Sequence, residues 1–165
     1  MALTDQDRID IADLINLHGH LTWRAALGKG ETGPRAVLER WRRAAIGQSI
    51  ADMRRMYAVD AVHDFPFTRP GLPARLAGRD EIVDWIAAGW QDNSLKYDRY
   101  RTIAVHDTND PDTIVVEQEA IGTSATTGDF ALPNIIVLTA RDGEIIHVRD
   151  YVNVLAAAAA IGRDG

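Results

Sequence analysis

Cysteine is missing altogether from this 165-residue chain. Disulfides, cysteine–zinc sites, iron–sulfur clusters and thiol nucleophiles are excluded with it. A basic excess is missing too: 18 Lys+Arg stand against 24 Asp+Glu, a net charge of −6. Nucleic acid and anionic membrane are therefore not expected partners, because both are bound through positive charge. No apolar run approaches the ~20 residues needed to cross a bilayer. The opening MALTDQDRID has neither the basic start nor the apolar stretch of a signal peptide, so a cytoplasmic location is expected. There is no G-x-S-x-G elbow, no Walker loop and no G-x-G-x-x-G behind a strand. GKGETG at 28–33 has no strand before it, so nucleotide binding is not expected.

What is present is the ordinary balance of a globular domain, 46% hydrophobic and 25% charged, at a length that suits one domain over 1–165. Thr4 with Asp7 three residues on forms a capping-box start. Ile11, Leu14, Ile15, His18 and Leu21 then recur at helical spacing, which predicts a helix from about 5 to 26. Pro34 suits the first turn of a second helix carrying Val37, Leu38, Trp41 and Ile46, with Arg35, Arg40, Arg42 and Arg43 expected towards solvent. Ser49 with Asp52 opens a short third helix ending near Tyr57. An extended stretch covers 58–67, with Pro66 suggesting a strand end near a sheet edge. TRPGLPARLAG is expected to be a loop, and 80–89 a helix with Ile82, Val83, Trp85 and Ile86 inward. Strands follow at 97–106, 113–123, 130–140 and Glu144–Val152, the last two flanking an Asp142-Gly143 hairpin. Helices first and antiparallel strands afterwards is an α+β pattern. A curved sheet folded over the N-terminal helices would enclose a pocket between the layers, the usual place for a ligand.

The candidate residues are ionisable groups on apolar faces. His18 aligns with Ile11, Leu14 and Ile15; it is either a buried histidine with one local hydrogen bond or a donor projecting into the pocket. His63 and Asp64 are adjacent in an extended stretch, so they leave opposite faces of the sheet. Asp64 shares its face with Val62 and Pro66, His63 with Ala61 and Phe65. Neither face is polar, so one of the two enters an apolar environment. A carboxylate there would have its pKa raised by desolvation, as a general acid or base near neutral pH requires. Asp150 shares a face with Ile146, Val148 and Val152; the alternative for it is an ion pair with Arg99 or Arg101. Glu117 and Glu119 alternate with Gln118 and Ala120, the pattern of a solvated outer face. No His stands at a suitable spacing beside them, so no metal site is expected.

MYAVDAVHDFPF (56–67), followed by a Gly/Pro loop and GRDEIVDWI (78–86), resembles the SnoaL-like polyketide-cyclase and ketosteroid-isomerase branch of the nuclear transport factor 2-like superfamily. ARDGEIIHVRDYVN (140–153) is similar to that family's closing hairpin. Asn134 fits the Asn that precedes it, and this region also resembles the phenazine-biosynthesis A/B proteins. The resemblance implies an α+β cone and a cofactor-free acid/base enzyme of lyase, dehydratase, isomerase or cyclase type. Its substrate would be a small hydrophobic or aromatic carbonyl or hydroxyl compound. Asp64 falls on the general-base position, His18 takes the place of a tyrosine donor, and Asp150 matches the acid of the last strand. Tyr57, Phe67, Trp85, Trp90 and Asn134 would form the substrate wall. Gln118 and Ala120 stand where the epoxide-hydrolase branch has an Arg/Asp pair, which disfavours epoxide hydrolysis. The resemblance also implies a homodimer and makes 29–48 a helical insertion. Its alternative is a non-catalytic ligand-binding or assembly module of the same fold, in which His18 and Asp64 are tied up in structural hydrogen bonds.

Overall fold

Proline at the start of a helix and glycine at its ends delimit the first element. In the computed structural model, which describes residues 31–92 and 95–163, α1 runs over Pro34–Ile46 between Gly33 and Gly47. Pro34 is pre-set for the helix and lacks the N–H that would go unpaired there. The helix buries Val37, Leu38, Ala44 and Ala45. It also buries Arg42, which is 6% exposed, against the expectation that this arginine faces solvent. The reason is spacing: Arg42 lies four residues after Leu38 and three before Ala45, on the apolar stripe. α2 (Ile50–Met56) starts at Ser49, whose hydroxyl accepts a hydrogen bond from the Asp52 N–H at 3.3 Å.

Strand β1 (Tyr57–Asp64) continues directly from α2. β2 (Arg75–Ala77) is a short strand inside the stretch expected to be all loop, and it covers the edge of β1. α3 (Arg79–Asp92) precedes four longer strands, β3 (Leu95–Asp107), β4 (Thr113–Ser124), β5 (Gly128–Arg141) and β6 (Glu144–Val152). α4 (Val154–Ala160) follows, started by Asn153, whose side chain accepts from the Ala156 N–H at 3.0 Å. The strands form one curled, unclosed sheet in the order β2-β1-β6-β5-β4-β3. The expectation of an antiparallel sheet needs one correction: β1 pairs with β6 in parallel, because four other strands and α3 intervene before the chain returns beside it. The Asp142-Gly143 turn joins β5 to β6 with positive φ at both residues, 52° and 80°, the backbone a two-residue hairpin needs.

The concave side of the sheet packs on the helices. Met53, Tyr57, Ile82, Ile114, Val116, Ile136, Ile145 and Val148 are fully buried between the layers. At Gly122 of β4 a Cβ would come within 2.0 Å of the Lys96 carbonyl oxygen, so only glycine lets β3 cross there. The helical stretch expected over 29–48 corresponds to α1, which lies against this core rather than apart from it.

Candidate active site

Alternation along four strands sets the polar groups of the concave face. In β1 the inward residues are Ala61 and His63, while Asp64 points the other way. In β6 the inward set includes Val148, Asp150 and Val152; in β5 it includes Asn134, Ile136 and Leu138, and in β4 Ile114, Val116, Gln118 and Ala120. The pairing Ile136↔Asp150 with Asn134↔Val152 puts Asn134 diagonal to Asp150. His63, Asp150, Asn134 and Gln118 therefore follow one another across neighbouring strands on an otherwise apolar floor.

These four groups line a cavity of about 230 Å³ whose opposite walls include Trp41 of α1, Met53 of α2 and Trp85 and Trp90 of α3. The Asp150 side chain is 15% exposed. Its Oδ1 accepts a hydrogen bond from Asn134 Nδ2 at 3.0 Å, and its Oδ2 lies 3.9 Å from His63 Nε2, beyond hydrogen-bond length. Burial pushes the Asp150 carboxyl up to about 6, and the Asn134 hydrogen bond holds it from going higher. Burial brings the His63 imidazole down to about 4, even though Asp64 nearby favours its charge, so it is neutral at pH 7. Its ring also stacks on Phe65, with centroids 4.7 Å apart.

The proton on His63 can be located by satisfying its neighbours. Trp41 Nε1–H, a donor only, gives its hydrogen bond to Tyr57 Oη at 3.2 Å. Tyr57 Oη lies 3.3 Å from His63 Nδ1 and is fully buried. The hydroxyl can dispose of its own hydrogen only by donating to Nδ1. The imidazole then carries its hydrogen on Nε2, which is buried without a hydrogen-bond partner and faces the cavity beside Asp150. Two further buried atoms of the cavity wall are in the same condition, Gln118 Nε2 and Asn134 Oδ1.

The residues expected from sequence divide accordingly. Asp150, Asn134, Trp85 and Trp90 line the cavity, although Trp85 is 38% exposed and sits at its rim. Tyr57 lies behind the wall, holding His63. Phe67 does not reach the cavity: it is 60% exposed and packs edge-on against Tyr151. Asp64 does not reach it either. Arg75, directly opposite on β2, grips both its oxygens at 2.7 and 3.1 Å, and His147 Nε2 lies 2.7 Å from Oδ2. The Arg75 guanidinium holds that carboxyl down at about 2, the opposite of a base tuned for neutral pH. Asp64 and Asp150 are thus on opposite faces. His18 lies outside the described residues. Arg101, one of the arginines weighed as a partner for Asp150, instead pairs with Glu119 at 2.6 Å. Among the described residues no group of three His, Asp or Glu is arranged to hold a metal ion. The groups missed at the sequence level are His63 as an inward residue, Gln118 and Arg42. The signal for Gln118 was its place in the stripe Ile114, Val116, Ala120.

A curled α+β sheet over helices, with a pocket floored by its last strands, defines a small-ligand type of fold. The chain belongs to the SnoaL-like domain family, which matches residues 37–148. The uncharacterized protein YesE of Bacillus subtilis is 30% identical over 104 residues, covering 62% of this chain and 69% of its own. The PhzA/B-like protein PA3332 of Pseudomonas aeruginosa is 31% identical over 108 residues, 65% of this chain and 74% of its own. A crystal structure of a proposed isomerase from Bacillus subtilis superposes with a TM-score of 0.73 at 24% identity, covering 82% of this chain and 96% of that one. Its likeness establishes the shared fold.

Proposed function

We propose that the protein is a cofactor-independent enzyme that moves a proton on a small, neutral, hydrophobic carbonyl compound, with Asp150 as the base. The observation that supports this is a buried carboxylate on the cavity floor, fixed by Asn134 on one oxygen and presenting the other beside the neutral His63 Nε2–H. Asp150 takes a proton from the carbon next to the carbonyl; the electron pair of that C–H bond forms the C=C bond of the enolate, and the π pair of the carbonyl moves onto its oxygen. His63 Nε2–H donates a hydrogen bond to the resulting enolate oxygen, at no cost in charge separation on the imidazole. The proton on Asp150 then returns to carbon in an isomerisation, or goes to a leaving hydroxyl in a dehydration. A carboxyl titrating at about 6 suits both directions near neutral pH. Asp64, assigned the base role by resemblance, has no route to the substrate in this reading, since Arg75 and His147 occupy it.

The competing reading is a binding module of the same fold, favoured by the structural hydrogen bonds that tie up Asp64. Deuterium exchange separates the two. The α-protons of 2-tetralone in D2O, followed by proton NMR, should exchange in the presence of the protein. Asp150→Asn should slow the protein-dependent rate by roughly a hundredfold or more. Exchange within threefold of wild type in Asp150→Asn would sink the assignment, and so would no exchange above buffer.

A further inference from the structure

Arg42 and Gln118 form a pair that the proton-transfer site does not use. Gln118 is 2% exposed, and its Oε1 accepts two hydrogen bonds from Arg42, from Nε at 3.0 Å and from Nη2 at 2.6 Å. A guanidinium only donates, so the atom facing it must be the amide oxygen and the amide cannot flip. The remaining guanidinium nitrogen is engaged as well: Arg42 Nη1 donates to Glu39 Oε1 at 2.8 Å and to Thr102 Oγ1 at 3.0 Å. Arg42 is thus anchored on α1, β3 and β4 while its charge is met by Glu39 outside the cavity wall. Gln118 Nε2 is left as a buried donor without a partner, in a side chain that lines the cavity. Leaving such a donor unpaired costs about 1–3 kcal/mol.

The position of this donor constrains what it would bind. Gln118 stands on β4 and Asp150 on β6, two strands apart, about 10 Å at the usual strand spacing. Asn134 lies between them, with its Oδ1 also unpartnered, and the surrounding wall is apolar. No lysine or arginine lines the cavity among the described residues, while Asp150 does, which disfavours an anionic ligand.

We infer that Gln118, locked by Arg42, is a second anchoring point, and that the site takes a neutral bifunctional compound: one oxygen reacts at Asp150 and His63, and a second acceptor oxygen across the hydrocarbon skeleton binds Gln118 Nε2. This rests on the assignment of the Asp150 end as the reacting end. Gln118 selects the substrate and Arg42 positions Gln118.

The test uses two neutral probes that differ only in the second carbonyl, trans-decalin-2,6-dione and trans-2-decalone, with affinities measured by titration calorimetry on the full chain. The dione should bind wild type about tenfold more tightly, the worth of one hydrogen bond to an otherwise unsatisfied buried donor. Gln118→Met should bring the two within about twofold. Gln118→Glu keeps an acceptor for Arg42 and so protects the fold, but it removes the donor and should also abolish the preference. Arg42→Met frees the amide to turn and should lower the preference, whereas a purely structural arginine would lower the melting temperature and leave the preference unchanged. A dione that binds wild type no better than the monoketone overturns the inference, including the case in which neither binds. A preference that survives loss of the amide donor overturns it too. Exchange of 2-tetralone α-protons reads Asp150 independently: loss of exchange in Asp150→Asn with no dione preference in wild type would remove Gln118 and keep the base. A Gln118-dependent preference with exchange unaffected by Asp150→Asn would remove the base assignment and with it the reacting end.

Discussion

Replacing the proposed base should make the protein more stable, and the size of the gain should follow pH. Asp150 in the folded protein titrates at about 6 against an ordinary 3.8, because burial penalises its charge. A group whose folded pKa is raised binds its proton more tightly in the native state. Its ionisation therefore costs nothing below about pH 3.8, costs progressively more up to about 6, and reaches a plateau above. The gap of about two pH units corresponds to roughly 3 kcal/mol at the plateau. Asp150→Asn is nearly isosteric, keeps an oxygen to accept from Asn134 Nδ2, and never carries charge. The variant should melt higher than wild type at pH 8 by several degrees, at roughly 2–4 °C per kcal/mol for a chain of this size. The difference should shrink as pH falls from 7 towards 4 and vanish below it. Thermal unfolding followed by circular dichroism at pH 8, 6 and 4, in one buffer system at constant ionic strength, measures it. A variant less stable than wild type at pH 8, or a difference that does not change with pH, would refute the claim that Asp150 is a strained buried carboxylate.

Asp64→Asn should behave in the opposite way. It loses the grip of Arg75, which is itself well exposed and screened by water, so the expected loss is about 1 kcal/mol. Because Arg75 holds the folded Asp64 at about 2, that stability is present above pH 3.8 and disappears as pH falls through 2; melts at pH 7 and pH 2 check the sign. The rate of ketone α-proton exchange should stay within threefold of wild type. Tyr57→Phe leaves Trp41 Nε1 and His63 Nδ1 without their shared partner, at a cost of about 1–3 kcal/mol in the melt. It also releases His63 from its Nε2–H tautomer, so the exchange rate should fall roughly tenfold while the affinity for 2-tetralone changes little.

Most of the architecture follows from local signals: Pro34 and Ser49 start their helices, and Asp142-Gly143 turns the last hairpin. The facing of β1 was the harder matter. Adjacent His63 and Asp64 must point opposite ways, but which of them enters the core depends on the three-residue strand β2, whose Arg75 meets Asp64 from across the ladder. One sequence signal was available, since Asp60 shares parity with Asp64 and marks that side as the polar one. The assignment of Asp150 depended on an accident of neighbourhood in the same way. Its face is legible from Val148 and Val152, but its partner Asn134 is diagonal on another strand, a relation set by the β5–β6 register. The burial of Arg42 is not legible in the sequence, because an arginine on a helix ordinarily snorkels to water; here the buried Gln118 and the exposed Thr102 supply it with acceptors.

Three buried polar atoms without partners converge on one cavity: His63 Nε2, Gln118 Nε2 and Asn134 Oδ1. Each unsatisfied group costs about 1–3 kcal/mol, and the Asp150 charge adds roughly 3, against a net stability of only about 5–15 for an ordinary domain. A floor apolar throughout, with the groups behind it apolar too, would carry none of these costs. For folding alone, then, this arrangement is the wrong choice at several positions of one pocket at once. Two of the orphan groups are also held rigidly from behind, His63 by Tyr57 and Gln118 by Arg42, so they cannot relieve themselves by turning towards other partners. Groups kept both unsatisfied and immobile are pre-organised for something that enters the cavity and satisfies them. That convergence, more than the raised pKa of any single carboxylate, is what separates a site from a filled cone.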